Sequence, residues 1–121
     1  MAKTIKQAAE ELRIPTDTIR YYDRVGLLPN LQRNQNGYRL FSDDDMYTLE
    51  MIKCFRATNM SIEDLTKIFA FQSNDSKVSL TERLRIISSQ RENLLEQRKQ
   101  IDEALALTDY KIKRYKEKLK N

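Results

Sequence analysis

Apolar side chains in residues 1–41 repeat first at helical spacing and then in two short extended runs. Ile5, Ala8, Ala9 and Leu12 fall at i, i+3, i+4 and i+7, which defines one helical face. Thr4 and Gln7 form a capping-box pair that starts this helix, and Pro15 is placed to break it. A second helix is predicted over residues 16–25, with Ile19, Tyr22 and Val25 inward and Asp17, Thr18, Arg20, Tyr21 and Arg24 outward. Gly26 follows where a glycine commonly ends a helix. Two short helices with a tight break make a helix-turn-helix candidate. After Leu27-Leu28-Pro29, the Asn36-Gly37 pair lies between two short runs and predicts a hairpin, with Tyr38, Leu40 and Phe41 on its return. The hairpin carries Arg33 and Arg39 and no acid, which suits a basic wing.

Helical spacing then resumes. Ser42 with Asp45, and Phe41 with Met46 across the cap, open a third helix whose inward stripe is Met46, Leu49, Ile52 and Phe55. Asp43, Asp44 and Asp45 occupy the positive end of that helix's dipole, so the acidic run needs no metal to explain it. Ser61 and Asp64, stapled by Met60 and Leu65, open a fourth helix with Ile62, Ile68 and Phe69 inward. Residues 72–78 read as a polar connector. Ser79 with Glu82 reads as the start of a long helix over residues 79–119. Its seam alternates steps of four and three: Leu80, Leu84, Ile87, Arg91, Leu94, Arg98, Ile101, Leu105, Thr108, Ile112, Tyr115 and Leu119. Nine of these twelve positions are apolar, the pattern of a coiled coil that needs a partner helix. A chain ending at Asp75 is accordingly expected to be a monomeric head.

Composition narrows the chemistry. The 121 residues include one Cys and no His, so neither an internal disulfide nor a zinc site is expected, and a reducing cytoplasm suits the chain. No segment reads as a signal peptide or membrane span. Without a metal cluster or a glycine-rich phosphate loop, no catalytic constellation and no cofactor are expected. The net charge is +4, but its layout says more. Residues 1–40 hold seven Lys/Arg against four Asp/Glu, residues 41–76 three against seven, and residues 77–121 twelve against seven. A basic head is compatible with nucleic acid binding without requiring it.

Sequence motifs add to this order of parts. The stretch from Thr18 through Arg20, Tyr21, Tyr22, Asp23 and Arg24 to Leu28 resembles the recognition-helix signature of the MerR family of transcription regulators. Gly37-Tyr38-Arg39 with Phe41-Ser42 resembles that family's wing return, and residues 60–65 resemble the start of its fourth helix. The resemblance spans residues 3–71, while the long helix matches in pattern only. It implies a mainly α fold: a winged helix-turn-helix head, a second helix pair and a long C-terminal helix paired antiparallel with its copy. It further implies a cytoplasmic bacterial homodimer that binds a promoter palindrome and distorts an over-long spacer, acting on RNA polymerase through the DNA. Thr18, Arg20, Tyr21 and Arg24 then correspond to major-groove and flanking phosphate contacts. Tyr38 and Arg39 correspond to wing contacts with the backbone, and Tyr22 to the core. Arg33 is either a phosphate contact or plain loop charge. Dimerisation would rest on Leu80, Leu84, Ile87, Leu94, Ile101, Leu105, Ile112, Tyr115 and Leu119.

The signal is less legible. The chain stops at Asn121, so no effector domain is expected, and residues 72–121 lack the cysteines of the family's metal sensors. Cys54 resembles the lone cysteine of a thiol- or aldehyde-responsive subgroup, with Lys53 and Arg56 as neighbours that favour thiolate. It also reads as a small buried side chain, the commoner place for an unpaired Cys. Two other functions fit parts of the pattern. A coiled-coil adaptor explains the long helix and leaves the wing without a purpose. A phage-type architectural DNA-binding protein explains the head and needs a shorter coil.

Overall fold

Each of the first helices starts on a device written in its own sequence. In the computed structural model, which describes residues 2–70 and 75–121, the Thr4 hydroxyl accepts from the Gln7 amide while the Gln7 side chain accepts from the Thr4 amide, opening α1 (Ile5–Leu12). That helix closes before the proline is reached. Arg13 takes a left-handed conformation, φ 57° and ψ 44°, and ends it. Pro15 instead precedes the first residue of α2 (Thr16–Arg24), and its carbonyl accepts from the Thr18 and Ile19 amides. Gly26, at φ 91°, turns the chain out of α2, a conformation that strains any residue with a Cβ.

The wing is smaller than its sequence suggests. Only β1 (Gln32–Arg33) and β2 (Arg39–Leu40) pair, antiparallel, with Gln32 opposite Leu40 and Arg33 opposite Arg39. Asn36-Gly37 is not a two-residue turn. The Asn34 amide donates to the Tyr38 carbonyl, closing a three-residue loop with Gly37 left-handed at φ 82°. The Asn34 side chain also accepts from the Asn36 and Tyr38 amides and holds the loop from inside. Sequence gave no sign of a further pairing, in which Lys3 and Phe41 exchange backbone hydrogen bonds at 2.8 Å each and tie the N-terminus to the end of the wing.

Ser42 caps α3 (Asp43–Ala57) reciprocally with Asp45, as expected. The buried side extends beyond the predicted stripe. Asp45 and Thr48 are buried beside Met46, Leu49 and Ile52, while Phe55 is half-buried. Asn59, at φ 76°, makes the break, and Ser61 caps α4 (Ile62–Phe69). α5 (Lys77–Leu119) begins two residues earlier than expected. Its first turn is held by Ser76, whose hydroxyl accepts from the Ser79 amide. Glu82 is engaged by Arg85 instead of a cap, and that hydrogen bond holds its carboxyl below the usual value. Of the predicted connector, residues 72–74 lie outside the described residues.

The chain divides into two compact units, residues 1–86 and 87–121. The first has one apolar core, in which Ala8, Ile19, Leu27, Phe41, Leu49 and Leu65 are fully buried. Ile86, from the first turns of α5, is a member of that core. The second is the remainder of α5, where Ile101, Leu105, Ile112, Tyr115 and Leu119 are all exposed. No helix among the described residues is long and apolar enough to cross a membrane.

Candidate nucleic-acid interface

Burial of Ile19 and Tyr22 fixes the roll of α2. Residues 17, 20, 21 and 24 then share the opposite face, since they follow i, i+3, i+4 and i+7. Arg20 donates to Asp17 at 2.9 Å along the helix surface. This pair is open to solvent, and such pairs contribute little, so it is readily given up for another partner. The Arg24 guanidinium lies 5.4 Å from the Tyr21 ring centroid, a cation–π contact, and the Tyr21 ring meets that of Tyr22 at 6.0 Å. Arg20, Tyr21 and Arg24 are exposed, as the sequence predicts, and Thr18 is half-buried at the edge of the face. Arginine and tyrosine at this spacing present charge, planar donors and ring faces together, the combination that reads base edges and holds phosphates.

The wing's three predicted residues fare differently. Tyr38 is 69% exposed at the end of the loop. Arg39 is half-buried, and its Nε donates to Asp23 Oδ2 at 2.8 Å. Arg33 Nη2 reaches the same oxygen at 3.3 Å, while its Nη1 donates to the Gly37 carbonyl at 2.8 Å. Asp23 was not singled out from sequence. The available signal was a hairpin with two arginines and no acid, which needs a counter-charge from elsewhere.

Cys54 is exposed on α3, which overturns the buried alternative. It follows Ile52 of the inward stripe by two residues, a rotation of about 200° that carries it to the outer side. Its cationic neighbours hydrogen-bond to backbone carbonyls. Lys53 Nζ donates to Leu12 O at 2.6 Å, satisfying the end of α1, and Arg56 Nη1 donates to Met60 O at 2.8 Å. Among the described residues no group of three His, Cys, Asp or Glu is arranged to hold a metal ion.

Comparison with known proteins decides the family. Residues 3–72 match the MerR HTH family regulatory proteins. The chain belongs to the MerR family. Among its MerR relatives, an uncharacterized HTH-type transcriptional regulator of Haemophilus influenzae is 36% identical over 115 residues, covering 95% of this chain and 84% of its own length. The regulator AdhR of Bacillus subtilis is 38% identical over 93 residues, covering 76% of this chain and 65% of its own length. The fold matches the crystal structure of HiNmlR, a MerR family regulator lacking the sensor domain and bound to promoter DNA. The TM-score is 0.87 at 34% identity, over 97% of this chain and 92% of that one. A MerR family transcriptional regulator from Listeria monocytogenes matches with a TM-score of 0.81, also at 34% identity, over 93% of this chain and 85% of that one. The winged helix-turn-helix head and long C-terminal helix of this chain are thus the MerR architecture.

Proposed function

We propose that this MerR chain is a transcription regulator that binds a promoter palindrome as a homodimer, one head per half-site, and deforms the spacer DNA between the promoter elements. The observation that carries the reading is the exposed face of Arg20, Tyr21 and Arg24 on α2, in a chain whose fold matches a promoter-bound relative. In this reading Arg20 reads a base edge, with Thr18 at the margin, while Tyr21, Arg24 and Tyr38 hold phosphates. Arg33 and Arg39 act at the wing. The homodimer is supported by the seam. Leu84 at 66%, Ile101 at 58% and Leu105 at 54% exposure, with Leu80, Ile87, Ile112, Tyr115, Leu119 and half-buried Leu94 in the same register, leave an apolar stripe that a second helix would bury. A dimer's two heads would then bind successive half-sites, and bending the DNA between them has a cost of several kcal/mol, about 1–6 by elastic estimates. RNA polymerase is reached through the DNA, and the site of action is the cytoplasm, where promoter DNA is found. A gel shift on fragments upstream of the neighbouring genes tests this. Sequence-selective retardation supports the regulator, retardation without selectivity supports the architectural alternative, and absence of binding to any duplex supports the adaptor.

A second element of the proposal concerns the signal. Cys54 reacts with an electrophile or oxidant, and the adduct switches the dimer. Its exposure favours this reading, because a reagent can reach the thiol without unfolding the head. Lys53 and Arg56 direct their side chains to the carbonyls of Leu12 and Met60. Cys54→Ser is expected to keep operator binding and to lose induction by aldehydes in a promoter-reporter assay. Normal induction in that variant would place the signal elsewhere.

A further inference from the structure

Arg33 and Arg39 stand directly opposite each other across the two-stranded wing. Like charges at opposing positions of an antiparallel pair repel. The hairpin has only two paired residues per strand, far short of what an isolated hairpin needs to persist in water. It also contains no acid of its own. The compensating charge comes from the recognition helix. Oδ2 of Asp23, in the last turn of α2, accepts from Arg39 Nε at 2.8 Å and from Arg33 Nη2 at 3.3 Å. The Asp23 and Arg39 side chains are 18% and 22% exposed, so this contact is screened less than an open surface pair.

We infer that Asp23 is a positioning residue that clasps the wing to the recognition helix, so that the two parts of the head meet DNA as one rigid body, and that it keeps Arg33 and Arg39 from acting as free phosphate ligands. The inference rests on the regulator reading and deepens it. Phosphate contacts are blind to sequence and dominate non-specific affinity, so two arginines held by a carboxylate lower binding to random DNA. A wing fixed against α2 also sets where Tyr38 lies relative to Arg20, which favours the half-site over other sequence. Asp23 therefore raises the ratio of specific to random binding without touching a base.

The test uses the full-length chain with Asp23→Asn, which keeps the shape and removes the charge. Hydrogen exchange in the absence of DNA is expected to show the wing amides of residues 32–40 opening about threefold faster or more, the scale of losing a modest ion pair, with the α3 amides unchanged. On DNA, the operator-to-random affinity ratio is expected to fall severalfold. The plot of log affinity against log salt should steepen, by about 0.9 for each released arginine that takes up a phosphate. Asp23→Glu, which keeps the charge, is expected to recover most of the ratio. Wing exchange equal to that of the unmodified protein overturns the proposal, as does a ratio that stays unchanged while the wing loosens. If Asp23→Asn does not fold, Arg39→Gln breaks the same contact from the wing side and its exchange is read instead. A protein that bound no duplex at all would overturn the regulator reading, and wing exchange would still judge the clasp.

Discussion

Arg20 is the side chain on which base discrimination is expected to depend most. It is exposed, in mid-helix, and held by solvent-facing Asp17 with a longer contact to the Thr16 hydroxyl. Arg20→Ala should weaken operator binding by at least about 1 kcal/mol and relax specificity at one position, whereas Tyr38→Ala should weaken binding to all sequences alike. Competition gel shifts at matched salt separate the two patterns, and operator affinity unchanged in Arg20→Ala would mean that α2 is not the reading element. These residues were legible because helical periodicity and the Gly26 stop fix the roll of α2 from local sequence alone. Asp23 was not, because its role depends on contacts 10 and 16 residues away, and no periodicity announces a counter-ion. Cys54 was legible by position: two residues beyond inward Ile52, helix rotation alone turns it outward, and the buried reading rested on residue type instead.

Among the elements, α3 has the most elaborate start. Asp45 Oδ2 accepts from both the backbone amide and the hydroxyl of Ser42, while the Ser42 hydroxyl accepts from the Asp45 amide, all at the edge of the core. Ser42→Ala removes two of these contacts and leaves a buried carboxylate less satisfied. It is expected to lower stability by about 1–2 kcal/mol, against roughly 1 kcal/mol or less for Ser61→Ala, whose hydroxyl receives one amide. Thermal unfolding of the two variants side by side checks the order, and an equal loss would show that Asp45 adds nothing to the cap. Both caps were readable as sequence pairs. The start of α5 was misread for an instructive reason: Ser79 and Glu82 have capping-box spacing, but the same spacing occurs inside helices, and Ser76 three residues earlier holds the turn. The Lys3–Phe41 bridge left no trace in sequence, because a single backbone pairing constrains no side chain.

For the molecule as a whole, the seam of α5 is the feature on which the proposed homodimer depends. Ile101→Lys with Leu105→Glu in the full-length chain puts two charges into the apolar stripe while both positions remain good helix formers. Sedimentation is expected to show a monomer that keeps its helical signal and loses operator affinity as half-sites are read singly. A tight dimer persisting in that variant would remove the seam from the interface. A cut at Asp75, suggested by sequence as the way to isolate the head, would confuse the result. It would strip Ile86 from the head's core, at a cost of roughly 2–5 kcal/mol for a large aliphatic side chain. The placement of Ile86 also bears on how the protein is made. On the ribosome the first residues must wait for Phe41 to find their backbone partner, and the core stays open until residue 86 has emerged. A premature stop codon anywhere before that point would release a chain with an unfinished interior, a substrate for proteases. Nonsense alleles that stop before residue 86 should therefore behave as simple losses, without a folded half-regulator left over to occupy promoters and poison the intact protein.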